Sequence, residues 1–436
     1  MRDLVIVGMV CLAALVALRR PWIGIMCWTW VSLMSPHRYA YGFAVDAPVA
    51  MIAAASTLVG LMITKDRRDN PFKGSPTIWL AALMVWMTLS WRLGLDPRDD
   101  YAQWDKVMKI DFMVLVSLAL LHSKKHIFAL AWVCALSLGI LGAKGGVFTI
   151  ATGGSYRVWG PPASFVEDNN HFATALVMTI PLLRFLQLQL VGKWARRGMG
   201  VMMLLVAASA IGSHSRGALL AITAMAVFMW LKGRNRLVGL VVMAVVGVAL
   251  ITFMPDHWGE RMETMRTYSE DGSAMGRISS WWVAWRLAFD YPFGVGFNAA
   301  RAELFQMYSP YPEFGVFVAH SIYFQMLGHH GFVGLFIFLG IFISTFLMCR
   351  RIRKASEGHP QAQWCHDLAG MCQVSLIGYA IGGAFLQLGY FDLPYNIMVL
   401  VVLTHVWVTS RAWETEREVP SRWFRIPGVR SEAPAT

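Results

Sequence analysis

Chemistry in this chain would depend on a histidine and two arginines whose positions suggest more than a structural role. His320 begins an apolar stretch directly after a long polar segment, residues 255–319, which contains arginines but no lysine. A neutral imidazole at such a boundary can accept a proton near neutral pH, so His320 is the candidate general base. Arg216 and Arg277 lie in polar segments, and a guanidinium binds phosphate in a bidentate geometry that lysine lacks. These residue types predict base-assisted chemistry on a phosphate-bearing substrate.

Weaker candidates for anion binding accompany these three residues. Lys144 lies inside an apolar run, where it would bind an anion or pair with a carboxylate. Structural alternatives stay open, because Arg216 can snorkel to lipid headgroups and the loop arginines can pair with acidic neighbours. A single interfacial histidine often does no more than form hydrogen bonds. The remaining candidates for binding the anionic substrate are Arg157, Arg266 and His171, whereas His329 and His330 are assigned structural roles.

Several kinds of site are missing from the sequence. The outer loops contain no Asp-x-Asp, and no His, Cys and Asp cluster has metal-ligand spacing. Neither a Walker loop nor a Gly-x-Ser-x-Gly elbow occurs. The six cysteines include no close-spaced pair, which argues against a disulfide framework and a zinc site. We therefore expect neither a metal nor another cofactor.

The elements that must position these residues are membrane helices. Hydrophobic residues make up 56% of the 436 residues and charged residues only 15%, against about 25% charged in soluble domains. This composition excludes a soluble enzyme and a disordered chain, and it predicts an all-α polytopic membrane protein with about 12–13 transmembrane helices. The apolar runs are 4–18, 21–35, 48–64, 77–94, 109–121, 127–151, 172–190, 198–212, 217–231, 237–254, 321–348, 368–388 and 394–410.

The net charge of +12 follows the same topology. Clusters of lysine and arginine follow every second apolar run, which is the positive-inside pattern, so no nucleic-acid partner is expected. That side is predicted to be the cytoplasm and to hold the tail, residues 411–436. Residues 255–319, Arg216 and His320 then share the opposite side. We expect one integral membrane domain over residues 1–436, with 255–319 as its large helical outer loop.

These motifs together resemble bacterial O-antigen ligases. His320-Ser321, followed after nine residues by Gly331-Phe332-Val333-Gly334, is similar to their signature of His, then Asn, Ser or Gln, then x9-Gly-x-x-Gly. Ser215-Arg216-Gly217 resembles the Ser-Arg-Gly segment of the wider ligase and polymerase superfamily. Arg277, followed by Gly294-Val295-Gly296, resembles the Arg and Gly-x-Gly stretch of its large periplasmic loop. The resemblance covers about residues 150–345 in its motifs and the whole chain in its topology.

The resemblance implies a GT-C-like, metal-independent and inverting glycosyltransferase of the bacterial inner membrane. Such an enzyme moves an O-antigen glycan from undecaprenyl pyrophosphate to a sugar hydroxyl of lipid A–core at the periplasmic face. His320 would take the proton of the acceptor, while Arg216 and Arg277 hold the pyrophosphate. Aromatic side chains of the outer loops would stack on sugar rings or form an interfacial belt: Trp159, Trp258 and Tyr268.

Three alternatives stay open. An O-antigen polymerase of the same superfamily would extend glycan chains, and a protein O-glycosyl ligase would use a serine or threonine acceptor. Residues 36–44, Pro-His-Arg-Tyr-Ala-Tyr-Gly-Phe-Ala, resemble a ligase subgroup that accompanies exosortases, and this leaves the acceptor open. A transporter of lipid-linked glycans belongs to a different class. The unusual polar groups lie at one membrane face only, which favours an enzyme.

Overall fold

A computed structural model describes residues 1–65, 67–232 and 272–416, and within these ranges the chain is helical and contains no strand. Helices cover every predicted apolar run in the described part, and the all-α polytopic architecture is thereby confirmed. The predicted run 237–254 and the candidates Arg266, Trp258 and Tyr268 lie outside the described residues.

The first nine helices are α1 (Arg2–Ala17), α2 (Pro21–Met34), α3 (Val49–Ile63), α4 (Ser75–Leu93), α5 (Tyr101–Leu120), α6 (Lys124–Ala151), α7 (Asn169–Gln189), α8 (Lys193–Gly212) and α9 (Arg216–Lys232). Later in the chain follow α10 (Gly272–Asp290), α11 (Ala302–Tyr308), α12 (Ile322–Ser356), α13 (Gln363–Gly382) and α14 (Asp392–Thr409). Helices α6, α7, α8, α12, α13 and α14 are long and apolar enough to cross a membrane, while α2, α3 and α9 are shorter apolar helices.

The centre of the bundle is formed by α7 and α14. Both helices are mainly apolar, and 72% and 83% of their most apolar windows are buried, as expected for helices surrounded by other helices. Helix α13 packs against both of them, and α9 and α12 pack against α13. The loops that enter the site therefore connect helices held by a common core.

Different sets of loops contact one another at the two ends of the bundle. At one end the Lys124 amide donates to a carboxylate oxygen of Glu416 (3.0 Å), and the Trp22 and His126 rings lie 4.9 Å apart. At the other end the Phe297 amide donates to Asp100 (2.7 Å) and the Asn169 side chain donates to the backbone of the α8–α9 turn. The loops at the first end carry the basic clusters, in agreement with their alternation along the chain.

The two glycine motifs of the sequence meet at a break in α12. Gly331 has φ 67° and ψ −172° inside the helix, and a Cβ atom there would lie 2.9 Å from the Pro292 carbonyl oxygen. Gly294, at φ 83°, passes so close to the His329 carbonyl oxygen that a Cβ would lie 2.2 Å from it. The Gly296 amide donates to the same oxygen (3.1 Å). The glycines allow the loop after α10 to pack directly on the backbone of α12.

Candidate active site

His320 has an unusual backbone conformation. Its φ is 41°, in the left-handed region that residues other than glycine rarely adopt. Its side chain is half-buried, and Ser321, which directly precedes α12, is buried. Strain of this kind persists where the surrounding structure fixes the backbone, and it concentrates at functional sites.

Helix α10 provides that surrounding structure. The Trp281 indole nitrogen donates to the carbonyl oxygen of Ala319 (2.7 Å), directly before His320, and its ring stacks on Phe324 with centroids 5.0 Å apart. One turn earlier Gly276 lies against the Phe317 ring, where a Cβ would be only 2.6 Å from ring carbons. These contacts bring the neighbouring Arg277 into electrostatic range of His320.

Burial, together with two nearby charges, shifts the pKa of His320. Burial lowers the pKa of His320 below its ordinary value, and the Arg277 guanidinium lowers it further, while Asp168 acts in the opposite direction. The imidazole is therefore neutral at pH 7. This is the state that a general base requires.

Asp168 is fixed at the beginning of α7 by its role as the helix cap. Its Oδ1 accepts hydrogen bonds from the amides of Asn170 (2.9 Å) and His171 (3.3 Å), which is the usual role of aspartate at this position. The structure thus brings together His320, Arg277, Asp168 and the predicted candidate His171. The sequence Asp168-Asn169-Asn170-His171 before a helix forms part of the resemblance, but it did not predict a role for Asp168 in the site.

Arg216 lies at the first residue of α9 and is exposed. Its turn is joined to the beginning of α7, because the Asn169 side-chain nitrogen donates to the Ser213 carbonyl oxygen (2.7 Å). Ser215 Oγ accepts from the Ala218 amide (3.2 Å) and caps α9. No ion pair or hydrogen bond connects Arg216 to His320 among the residues that the structure covers. Arg216 is thus at the same end of the bundle as His320, without direct contact.

A cavity of about 710 Å³ opens beside this group. His171 and Asp168 line it and lie within electrostatic range of His320, whereas His320, Arg216 and Arg277 are not among its lining residues. Its carboxylates are Asp99, Asp100, Glu167 and Asp168. Its amides are Gln103, Asn298, Gln325 and Gln387, and its aromatic rings are Trp159, Phe165, Phe297 and Tyr390. Such a lining forms hydrogen bonds with hydroxyl groups and offers rings for stacking.

The other predicted candidates lie elsewhere or outside the described ranges. Lys144 does not line the cavity; its ammonium group lies 5.0 Å from the centroid of the Tyr39 ring. Arg157 is exposed in the loop before α7 and also stays outside the lining. Arg266 is not described. Among the described side chains, no three His, Cys, Asp or Glu residues are grouped as metal ligands.

A second polar group lies beneath the cavity. The Tyr390 hydroxyl is 2.9 Å from His329 Nδ1 and 2.7 Å from His330 Nε2, and His330 Nδ1 is 2.9 Å from Ser90 Oγ. Both histidines are buried. Tyr390 and Gln325 were not predicted from the sequence. Gln325 is a polar residue inside an apolar helix, which was a usable signal, but nothing local indicated Tyr390.

The comparisons with known proteins divide the chain in two. Residues 201–339 match the family model described as O-antigen ligase, and residues 1–190 match a family of unknown function (DUF5935). A comparison with curated proteins gives no match. The first match includes Arg216, Arg277, His320 and both glycine motifs. It confirms the resemblance over residues 201–339, the part of this helical membrane protein that is similar to the O-antigen ligase family.

Proposed function

We propose that this protein transfers a glycan from undecaprenyl pyrophosphate to a sugar hydroxyl of lipid A–core at the periplasmic face of the inner membrane. The observation that carries the proposal is that half-buried, backbone-strained His320 lies within electrostatic range of both Arg277 and Asp168, inside the O-antigen ligase domain. The adjoining cavity, with its hydroxyl-binding lining, gives a sugar room beside the base.

The proposed reaction is a single displacement. The acceptor oxygen attacks the anomeric carbon of the donor sugar while His320 takes its proton, and the bond from this carbon to the pyrophosphate oxygen breaks. Arg277 and Arg216 stabilise the charge that develops on the leaving pyrophosphate. Asp168 stabilises the imidazolium that forms, as the carboxylate does in other His–Asp pairs. Attack opposite the leaving group inverts the configuration of the anomeric carbon.

The position of Arg277 couples donor binding to base strength. In the free protein its positive charge lowers the pKa of His320. A bound pyrophosphate carries negative charge and neutralises this effect, so His320 becomes a stronger base once the donor is in place. Arg216, at the beginning of α9, adds the partial positive charge of a helix N-terminus to the same anion.

The proposed orientation puts His320 and the segment 255–319 in the periplasm and the C-terminus in the cytoplasm. It is supported by the basic loops at one end of the bundle, where the His359 and Trp413 rings lie 5.3 Å apart. The test uses Glu313→Cys and His359→Cys separately, in a Cys11→Ser background. A reagent that cannot cross the membrane should label only the first. Labelling of both from the periplasm would contradict this topology.

Two alternative activities would differ from the proposed one only in the acceptor. A polymerase would use a second lipid-linked glycan, and a protein O-glycosyl ligase would use serine or threonine. Purified protein is therefore incubated with polyprenyl-pyrophosphate glycan and, separately, lipid A–core, a second glycan donor or a Ser/Thr peptide. A joined product with lipid A–core, absent in His320→Ala, supports the proposal. Movement of intact lipid-linked glycan between leaflets, without a new bond, would support the transporter alternative instead.

A further inference from the structure

The cavity beside His320 is built mainly by the part of the chain whose family has no assigned function. Ten of its fifteen lining residues lie within residues 1–190. Only Phe297, Asn298 and Gln325 come from the O-antigen ligase domain, and Gln387 and Tyr390 follow it in the chain. The domain that carries His320 therefore contributes a minority of the surface that a substrate would touch.

Direct contacts hold this N-terminal wall against the O-antigen ligase domain at Asp100 and at Asn169. Asp100 Oδ2 accepts from the Phe297 amide at 2.7 Å, and a Cβ at Gly296 would lie 2.1 Å from the same oxygen. Arg301 lies 3.4 Å from the other carboxylate oxygen of Asp100. The bond from Asn169 to Ser213 joins the second part of the wall to the α8–α9 turn. The wall is thus fixed relative to the base.

The charge of the cavity is one-sided. Four carboxylates line it, against a single ammonium group, that of Lys106. Lys106 Nζ lies 3.9 Å from the centroid of the Phe165 ring, and only Asp100 among the four carboxylates has an arginine partner in the described residues. A carboxylate or phosphate placed in this space would face like charges, which disfavours binding. The arginines proposed to bind pyrophosphate lie outside this lining.

The uncharged groups of the lining are suited to a sugar ring. Gln325 is only 3% exposed, and its Oε1 accepts from the Gly389 amide at 2.9 Å. Gln325 also lines the cavity, so its side-chain amide can donate a hydrogen bond to a hydroxyl group of a ligand there. Trp159 lines the same cavity with 55% of its surface exposed, which leaves its indole free for stacking on a sugar.

We propose that residues 1–190 form the sugar-recognition wall of the site and select a sugar that is uncharged or carries an amine over one with a carboxylate or phosphate. The inference rests on the proposed function and extends it by naming the substrate class and the region that recognises it. The sugar belongs to the donor glycan or to the acceptor, and the chemistry of recognition is the same for both.

The experiment compares matched substrates. In one arm, donors carry either a neutral hexose or the corresponding uronic acid next to the pyrophosphate, and the acceptor is constant. In the other arm, the acceptors form the matched pair and the donor is constant. In the arm whose sugar occupies the cavity, the wild type should transfer the neutral substrate faster by about tenfold or more, because like charges at contact distance disfavour binding.

The charge of the wall is then removed without changing its shape. Asp99→Asn together with Glu167→Gln should raise the ratio of anionic to neutral transfer about tenfold. Glu303→Gln together with Glu313→Gln removes two exposed charges that do not line the cavity, and should leave the ratio unchanged. Size-exclusion profiles and thermal unfolding verify that the variants fold, and the wild-type comparison needs no variant.

Each outcome decides a different claim. Equal transfer of neutral and anionic substrates in both arms, or preference for the anionic one, overturns the selection and leaves the proposed function intact. If no substrate is transferred, the proposed function fails, and the wall is tested by binding alone. Methyl hexosides should then change the tryptophan fluorescence more than the matching methyl uronides do, and Trp159→Phe should remove the change. No response to either sugar would overturn the inference.

Discussion

His320 and the pair His329 and His330 belong to the same stretch of chain, yet they differ in exposure, backbone conformation and neighbouring charges. His320 is half-buried, has a strained backbone and lies in the fields of Arg277 and Asp168. His329 and His330 are 6% and 0% exposed, and they share the Tyr390 hydroxyl. Both ring nitrogens of His330 have partners, so that ring has no nitrogen left for a substrate. Residue type alone would not separate a base from a structural histidine, whereas access and charge do.

The largest expected effect is the loss of the base. His320→Ala should reduce single-turnover transfer by about 10²–10⁴-fold, because general-base assistance is worth that much, while donor binding is largely kept. His329→Ala is the matched control. It should lose less than about tenfold in transfer and instead lower the free energy of unfolding, since it removes a buried hydrogen-bond partner. Equal losses of transfer in both variants would erase the distinction between the two histidine sites.

The next effect concerns the arginines. Arg277→Ala and Arg216→Ala should each cost about 2–5 kcal/mol in transfer, or about 30- to 5,000-fold, because a charged contact to phosphate is lost. Lysine at either position should rescue poorly, since it lacks the bidentate geometry. Arg350→Ala, at the opposite end of α12, is the control and should change little. Full activity of both variants would mean that other cations bind the pyrophosphate.

A smaller effect is expected from the packing that positions Arg277. Gly276→Ala would push a methyl group against the Phe317 ring, move α10 away from His320 and lower transfer about tenfold. Gly370→Ala in α13 meets nothing within 4 Å and should be neutral or slightly stabilising. Transfer and thermal unfolding are measured for both. Unchanged transfer by Gly276→Ala would show that the packing of α10 against Phe317 does not affect the transfer reaction.

The pH dependence should be modest near neutrality. Burial and Arg277 lower the pKa of His320. The ring is therefore neutral at every pH above the ordinary pKa of histidine. Transfer should therefore be flat from pH 7 to 8 and fall only as acid protonates the base. Since donor binding neutralises Arg277, the midpoint of kcat should lie above that of kcat/KM. Identical midpoints would argue against the coupling of donor and base.

The smallest expected effect is that of chelation. The proposed site neutralises pyrophosphate with arginines, so exhaustive EDTA treatment should leave transfer unchanged. Activity is measured before and after treatment, and again after addition of magnesium or manganese. Loss of transfer that either ion restores would show that the arginines alone do not neutralise the pyrophosphate. The charges that distinguish His320 from His329 and His330 would then be incompletely described.

The sequence predicted the helices and the separation of the two ends well, because apolar length and charge alternation are local properties of the chain. It also singled out His320 and Arg277, which the fold brings together. It missed Asp168 and Gln325 as site residues, since their value depends on neighbours far along the chain. Lys144 stays a prediction: its ammonium lies 5.0 Å from the centroid of the Tyr39 ring, a contact that could not be read from an intramembrane cation alone. The role of the glycine motifs could not be predicted from the sequence, because it depends on the packing of the loop after α10 against the backbone of α12.

Tyr390 has a consequence for how this protein can diversify. Its hydroxyl holds two buried histidines, while its side chain also forms part of the cavity lining. A substitution of Tyr390 that reshaped the cavity would also remove the hydrogen bonds to the two buried histidines and destabilise the core. The loop residues Trp159, Asp99 and Glu167 have no such second duty to the core. Natural variation in glycan preference among related chains should therefore accumulate in these loops, while Tyr390 and the two histidines that it contacts stay constant.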